Sequence, residues 1–264
     1  MKLAIQIIKN TWEEYMMYRL SFVLWRVRSV MQLVVTYFLW WAIFSQHTEL
    51  FGYTQSMMLT YILLGAIVRP LVMGTRTQEV GGMINDGSLS NYLIRPMHVF
   101  RFFFFRDIGD KTLNILFAVG EIALLLFFLR PPVFLQTNGL ILGLTVISLF
   151  IGMMIFFYFS LLLSFLGFWS PDVWAPRFLS FVLAEFFTGI LFPLDILPAP
   201  LFLLSKLLPF SYFIYFPLKV YLGQLQMSSI LIGIFVGFLW IGGMKFLASL
   251  FWKKGLRVYA AEGR

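Results

Sequence analysis

Four ionisable residues crowd into one short stretch: Arg106, Asp107, Asp110 and Lys111. Two carboxylates three positions apart share a helix face, a spacing that could hold Mg²⁺. The flanking cations make charge balance the expected role instead. Two further carboxylates, Glu121 and Glu185, stand inside long apolar stretches. A charge in hydrocarbon is expensive, so each should face the interior of a helix bundle or a water-filled cavity. There it either hydrogen-bonds across helices or lines a transport path. A proton relay would need more such groups, which disfavours proton-coupled transport by this chain alone.

Other chemistries are thinly supplied. There is no Cys, which excludes disulfides and thiolate chemistry. His47 and His98 lie far apart. No D-x-x-x-D, H-E-x-x-H or Ser/His/Asp grouping marks a membrane boundary, leaving an integral-membrane lipid-modifying enzyme as a minor alternative. No repeated filter or pore ring argues for a channel. A channel or a structural membrane component is the other alternative. The chain lacks a G-x-x-x-x-G-K-[ST] loop, so ATP phosphates have no usual cradle here.

The elements that must position these residues are membrane spans. Of the 264 residues, 60% are hydrophobic. A hydrocarbon core of about 30 Å needs roughly 20 apolar residues in a helix. Such stretches occur near 22–46, 56–73, 105–129, 139–168, 178–197 and 226–252. The expected fold is all-α: one polytopic membrane domain over 1–264 with six transmembrane helices. The net charge of +8 suits basic cytoplasmic loops better than nucleic acid. Lys and Arg cluster before the first span, between the second and third, and in the tail at Lys253, Lys254, Arg257 and Arg264. The alternate loops hold few. Six spans with both termini inside satisfy that distribution.

Four segments depart from plain spans. Residues 1–20 lack the apolar core and small-residue cleavage site of a signal peptide. They read as an amphipathic helix, with Met1, Ile5, Ile8, Trp12 and Met16 on one face and Lys2, Gln6, Lys9 and Glu13 on another. This helix either lies on the inner membrane surface or packs on the protein's own inner end. Residues 74–99 are polar and broken at Gly81-Gly82 and Asp86-Gly87, with Pro96 limiting Arg95. With no soluble core to join, this stretch should expose apolar residues to a partner. Phe102 to Phe105 cannot all share one face, so a helix entering the membrane obliquely is expected. Residues 198–222 carry Pro too often for one straight helix and are expected to dip in from outside as short re-entrant helices.

At two of these places the chain resembles the membrane permeases of six-span, type-2 ABC exporters. Ile84 to Pro96 is similar to the family's G-x-L-x-x-x-L-x-x-P pattern. Phe186 to Pro198, LPF at 208–210 and P-x-x-x-Y-x-G at 217–223 are similar to its re-entrant segment. The branch it looks most like is often encoded as paired permeases beside one ATPase. The resemblance implies a half-transporter in a bacterial inner membrane, exporting a drug, peptide, lipid or lipid-linked sugar. It implies a second permease, identical or paralogous, facing this one through spans one and five, with lipids around both. It also implies separate ATPase subunits that hold ATP and Mg²⁺, leaving this chain without a cofactor. A coupling helix then maps to Arg76 to Leu93, with Glu79 and Asp86 as exposed charges and Met83, Leu89 and Leu93 as apolar contacts. Glu121 and Glu185 remain candidates for the translocation path.

Overall fold

A computed structural model describes residues 2–95 and 97–259. Met1, the Lys2 side chain, Pro96, and Arg264 with the rest of 260–264 lie outside the described residues. Helices dominate. α1 (Lys2–Met17) and α2 (Arg19–Phe44) are followed by a small hairpin, β1 (Glu49–Leu50) and β2 (Tyr53–Thr54). α3 (Gln55–Met73), α4 (Glu79–Asn85), α5 (Ser90–Leu93), α6 (Val99–Leu129) and α7 (Gly139–Phe165) come next. α8 (Trp174–Phe187), α9 (Ala199–Leu207), α10 (Tyr215–Tyr221) and α11 (Met227–Val258) complete the chain. The hairpin pairs Glu49 with Thr54 and Leu50 with Tyr53.

Local chemistry explains the ends of the long helices. The Thr54 side chain accepts from the Met57 N–H at the start of α3. The Asn138 side chain accepts from Leu140 and Ile141 at the start of α7. Both are helix N-caps, satisfying donors that have no partner within the helix. α6 stops at Arg130, which adopts a left-handed conformation, and Pro131-Pro132 prevent it from resuming.

Among the described residues, five helices are long and apolar enough to cross a membrane: α2, α3, α6, α7 with its 3₁₀ extension to Phe168, and α11. The stretch 178–197 is different. Its helix, α8, has 14 residues, about 21 Å at 1.5 Å per residue. From Gly189 to Pro198 the chain is irregular apart from a short 3₁₀ turn at Leu194–Ile196. Gly189 has φ +80° and accepts a 2.7 Å hydrogen bond from Tyr61. The buried core joins α2, α3 and α7 to the 3₁₀ turn at Pro209–Tyr212 and to α10. Outward faces carry exposed apolar residues such as Val35, Phe128, Val146 and Phe235, as lipid contact requires.

α1 packs on the chain rather than standing apart. It crosses α6 at Gly109, where an added Cβ would sit 3.1 Å from Thr11 Cβ and 3.2 Å from Ile8 Cα. Trp12 Nε1 donates to the Gly109 carbonyl at 2.8 Å. Thr11 and Ile7 are buried, whereas Ile5 and Met16 of the expected apolar face stay exposed. α1 therefore keeps an apolar edge for lipid beside its protein contact.

Candidate functional site

Residues 74–95 connect α3 to α6 and form a packed platform. The Thr77 hydroxyl donates to Ser160 Oγ at 2.7 Å, and its carbonyl accepts from Ser164 Oγ at 2.6 Å. Val80, Ile84 and Leu89 are buried against Phe103 of α6, Phe157, Leu161 and Phe165 of α7, Phe168 and Ala248 of α11. This corrects the expectation that the segment has no core to join. α6 with 31 residues and α11 with 32 extend to about 46–48 Å, well beyond the hydrocarbon thickness of about 30 Å. That surplus length, with the end of α7, supplies a second buried cluster apart from the main one.

Gly81-Gly82 also differs from expectation, because both lie inside α4. For Gly81 the reason is close approach, whereas a Cβ on Gly82 would meet nothing within 4 Å. A Cβ on Gly81 would lie 3.0 Å from Val173 Cγ2, and one on Gly167 would lie 3.0 Å from the Gly81 carbonyl. The Asp86-Gly87 pair does end the helix, with Gly87 at φ +77°. Tyr259, beyond α11, donates to the Gly87 carbonyl at 2.7 Å and accepts from Ser90 N–H at 3.1 Å. The platform is thus tied to α3, α6, α7 and α11 together.

The five expected coupling residues divide. Asp86 and Leu93 are exposed, and Met83 is partly exposed. Hydrogen bonds from the Ser88 hydroxyl and backbone N–H hold the Asp86 carboxyl below its ordinary pKa, so it presents a fixed negative charge. Leu89 is fully buried, which removes it from the outer surface. Glu79 is not a free surface charge either. It pairs with Arg76 and lies 2.9 Å from Arg106.

Glu79 belongs to a charged cluster where α1, α4 and α6 meet. Arg106 also reaches Glu14 of α1 at 2.7 Å. Arg76 lies over the Tyr15 ring at 4.3 Å. Tyr15 donates to Asp110, and burial together with that carboxylate raises the phenol well above its ordinary pKa. Lys111 pairs with Asp107 at 3.0 Å and donates to the carbonyls of Val72 and Gly74. Asp107 and Asp110 are consequently both engaged. Among the described residues, no three His, Asp or Glu gather as metal ligands.

The two carboxylates inside apolar stretches each meet an arginine. Glu121 of α6 binds Arg26 of α2 through both oxygens, one contact being 2.7 Å to Nε. The pair borders an apolar groove of about 500 Å³ between α2 and α6. Glu185 of α8 binds Arg69 of α3. Farther along α8, Arg177 donates to Ser164 Oγ at 2.6 Å. α8 buries only Ala184, so polar contacts hold it more than packing does. Trp174, Phe178, Leu179, Phe181 and Val182 remain exposed along it.

At the opposite end of the bundle, Lys219 of α10 is buried. It lies 2.6 Å from Asp195, 2.9 Å from the Tyr53 hydroxyl and 2.7 Å from Gln224. This cluster fastens the hairpin to the irregular chain around α9 and α10.

Sequence reasoning missed Arg26, Thr77, Ser160, Arg177, Lys219 and Tyr259 as members of these contacts. For Arg26 a signal was available. The apolar stretches that hold Glu121 and Glu185 are matched by others holding Arg26 and Arg69, so acids and bases balance inside them. Serine and threonine give no comparable signal. Residues 30–263 match a family described as ABC-2 family transporter protein. No curated protein matches the chain.

Proposed function

The chain belongs to the ABC-2 family of transporter proteins, and on that premise we propose that it is the membrane subunit of an ATP-driven exporter. The observation that carries this reading is the platform at 74–95. Its far side is packed into α6, α7 and α11, while Asp86, Leu93 and Ile94 face outward. A rigid ledge with an exposed acid and two leucine-sized apolar residues suits a protein partner, and the family implies an ABC ATPase there. ATP and Mg²⁺ reside on that subunit.

Force applied at the ledge has short routes into the bundle. It passes along the chain to α3 and α6. Thr77 passes it to Ser160 and Ser164 of α7, and Arg177 carries it from Ser164 to α8. α8 buries only Ala184, and its exposed aromatic edge faces the second permease in this reading. The substrate is amphiphilic, consistent with an apolar groove whose wall carries the Arg26–Glu121 pair.

The proposed topology has six crossings in one domain, in the bacterial inner membrane. α8 and the irregular chain after it complete the fifth crossing, and α9 and α10 form the re-entrant segment. This arrangement keeps α1 and the basic end of α11 on the cytosolic side, as charge distribution favours. The test is co-purification with an ATPase subunit, identified by mass spectrometry and ATP hydrolysis. Asp86→Lys combined with Ile94→Glu should lose that subunit while the permease still inserts and folds. Undiminished ATPase recovery with the double variant would refute the assignment of the ledge.

A further inference from the structure

The first turn of α1, the linker before α6 and the start of α6 border a half-open cavity of about 610 Å³ that none of these roles uses. Leu3 and Ala4 line it from α1, Arg95 and His98 from the linker, and Arg101 and Phe105 from α6. Its walls are mixed: two guanidinium groups and an imidazole on one side, apolar side chains on the other. Arg26, Arg69, Arg76 and Arg106 all find carboxylates. Among the described residues, Arg95 and Arg101 do not. Each instead stands over an aromatic ring, Arg95 over Tyr92 at 4.9 Å and Arg101 over Phe105 at 5.6 Å. A guanidinium laid on a ring keeps its N–H edge available, and that fork matches a phosphate.

We infer that this cavity binds the phosphate headgroup of an anionic phospholipid. The anionic phosphate group is the chemistry that a lipid headgroup and a free anion share, and the apolar wall favours the lipid. Phe105 begins the apolar stretch 105–129 that the sequence assigns to a span, which would put the cavity where headgroup and acyl chain meet. Leu3 is 58% exposed beside it and offers a surface for the first methylenes. Basic pockets at the cytoplasmic boundary attract anionic headgroups for this reason. The lipid would stitch α1 to α6 at the end away from the Gly109 crossing. The inference rests on α6 crossing the membrane and not on the ATPase docking.

The test uses the full chain in mild detergent, with lipid binding read by native mass spectrometry. Phosphatidylglycerol should be retained and phosphatidylcholine should not. Arg95→Gln with Arg101→Gln should weaken phosphatidylglycerol binding about 30-fold, which is about 2 kcal/mol for two cations near a headgroup. Leu3→Glu sits on an exposed face, so the fold should tolerate it. It places an internal carboxylate beside the arginines and should block the lipid as well. Equal retention of both lipids, or unchanged phosphatidylglycerol binding in both variants, would overturn the inference. Displacement of phosphatidylglycerol by millimolar inorganic phosphate would overturn the lipid assignment in favour of a free anion.

Discussion

Breaking the Arg26–Glu121 pair tests whether α2 and α6 are joined by charge. The two side chains are 13% and 21% exposed and meet through two contacts. Each charge-assisted hydrogen bond contributes about 1.5–3 kcal/mol. Removing one partner also leaves the other charge uncompensated at membrane depth, which costs about 3–5 kcal/mol for a buried pair. Interhelical bonds in membranes measure lower, at most about 1.7 kcal/mol, because the unfolded chain in lipid finds other partners. Here two bonds act together, so a coupling energy of about 2 kcal/mol is expected. Glu121→Leu and Arg26→Leu should each lower stability by about 3 kcal/mol, and the double variant by less than their sum. The assay is equilibrium unfolding in mixed micelles with a double-mutant cycle. Additivity within about 0.5 kcal/mol would refute the pairing as a source of stability. The same variants separate the two roles open to Glu121. If the pair is structural, the double variant should still transport, and a stable but inactive double variant would refute that.

Two further perturbations follow from the packing. Gly109→Val should force α1 off α6, because even a Cβ there sits 3.1 Å from Thr11. A loss of about 1–3 kcal/mol, with faster tryptic cleavage after Lys9, is expected, and unchanged cleavage would count against the crossing. Lys219→Met leaves Asp195 without its cation in the cluster that fastens α10. A loss of about 3–5 kcal/mol in thermal unfolding is expected, with partial recovery when Asp195→Asn is added.

The amino-acid sequence by itself determined the membrane setting and the helices. Length of an apolar run is a local property, and lipid allows only backbones that satisfy their own hydrogen bonds. That is why α2, α3, α6, α7 and α11 fall close to the expected stretches. The turn at Asp86-Gly87 and the broken chain after α8 were legible for the same reason, since glycine and proline act on their own neighbourhood. Only tertiary structure decided which charges meet. Arg26 and Glu121 are 95 positions apart, and Arg69 and Glu185 are 116 apart. Whether such residues touch depends on how each helix is rotated and ordered in the bundle, which a single apolar run does not encode. The same holds for Leu89. Its surroundings depend on the ends of α6, α7 and α11 meeting around it, so an apolar residue in a polar loop became core instead of contact surface.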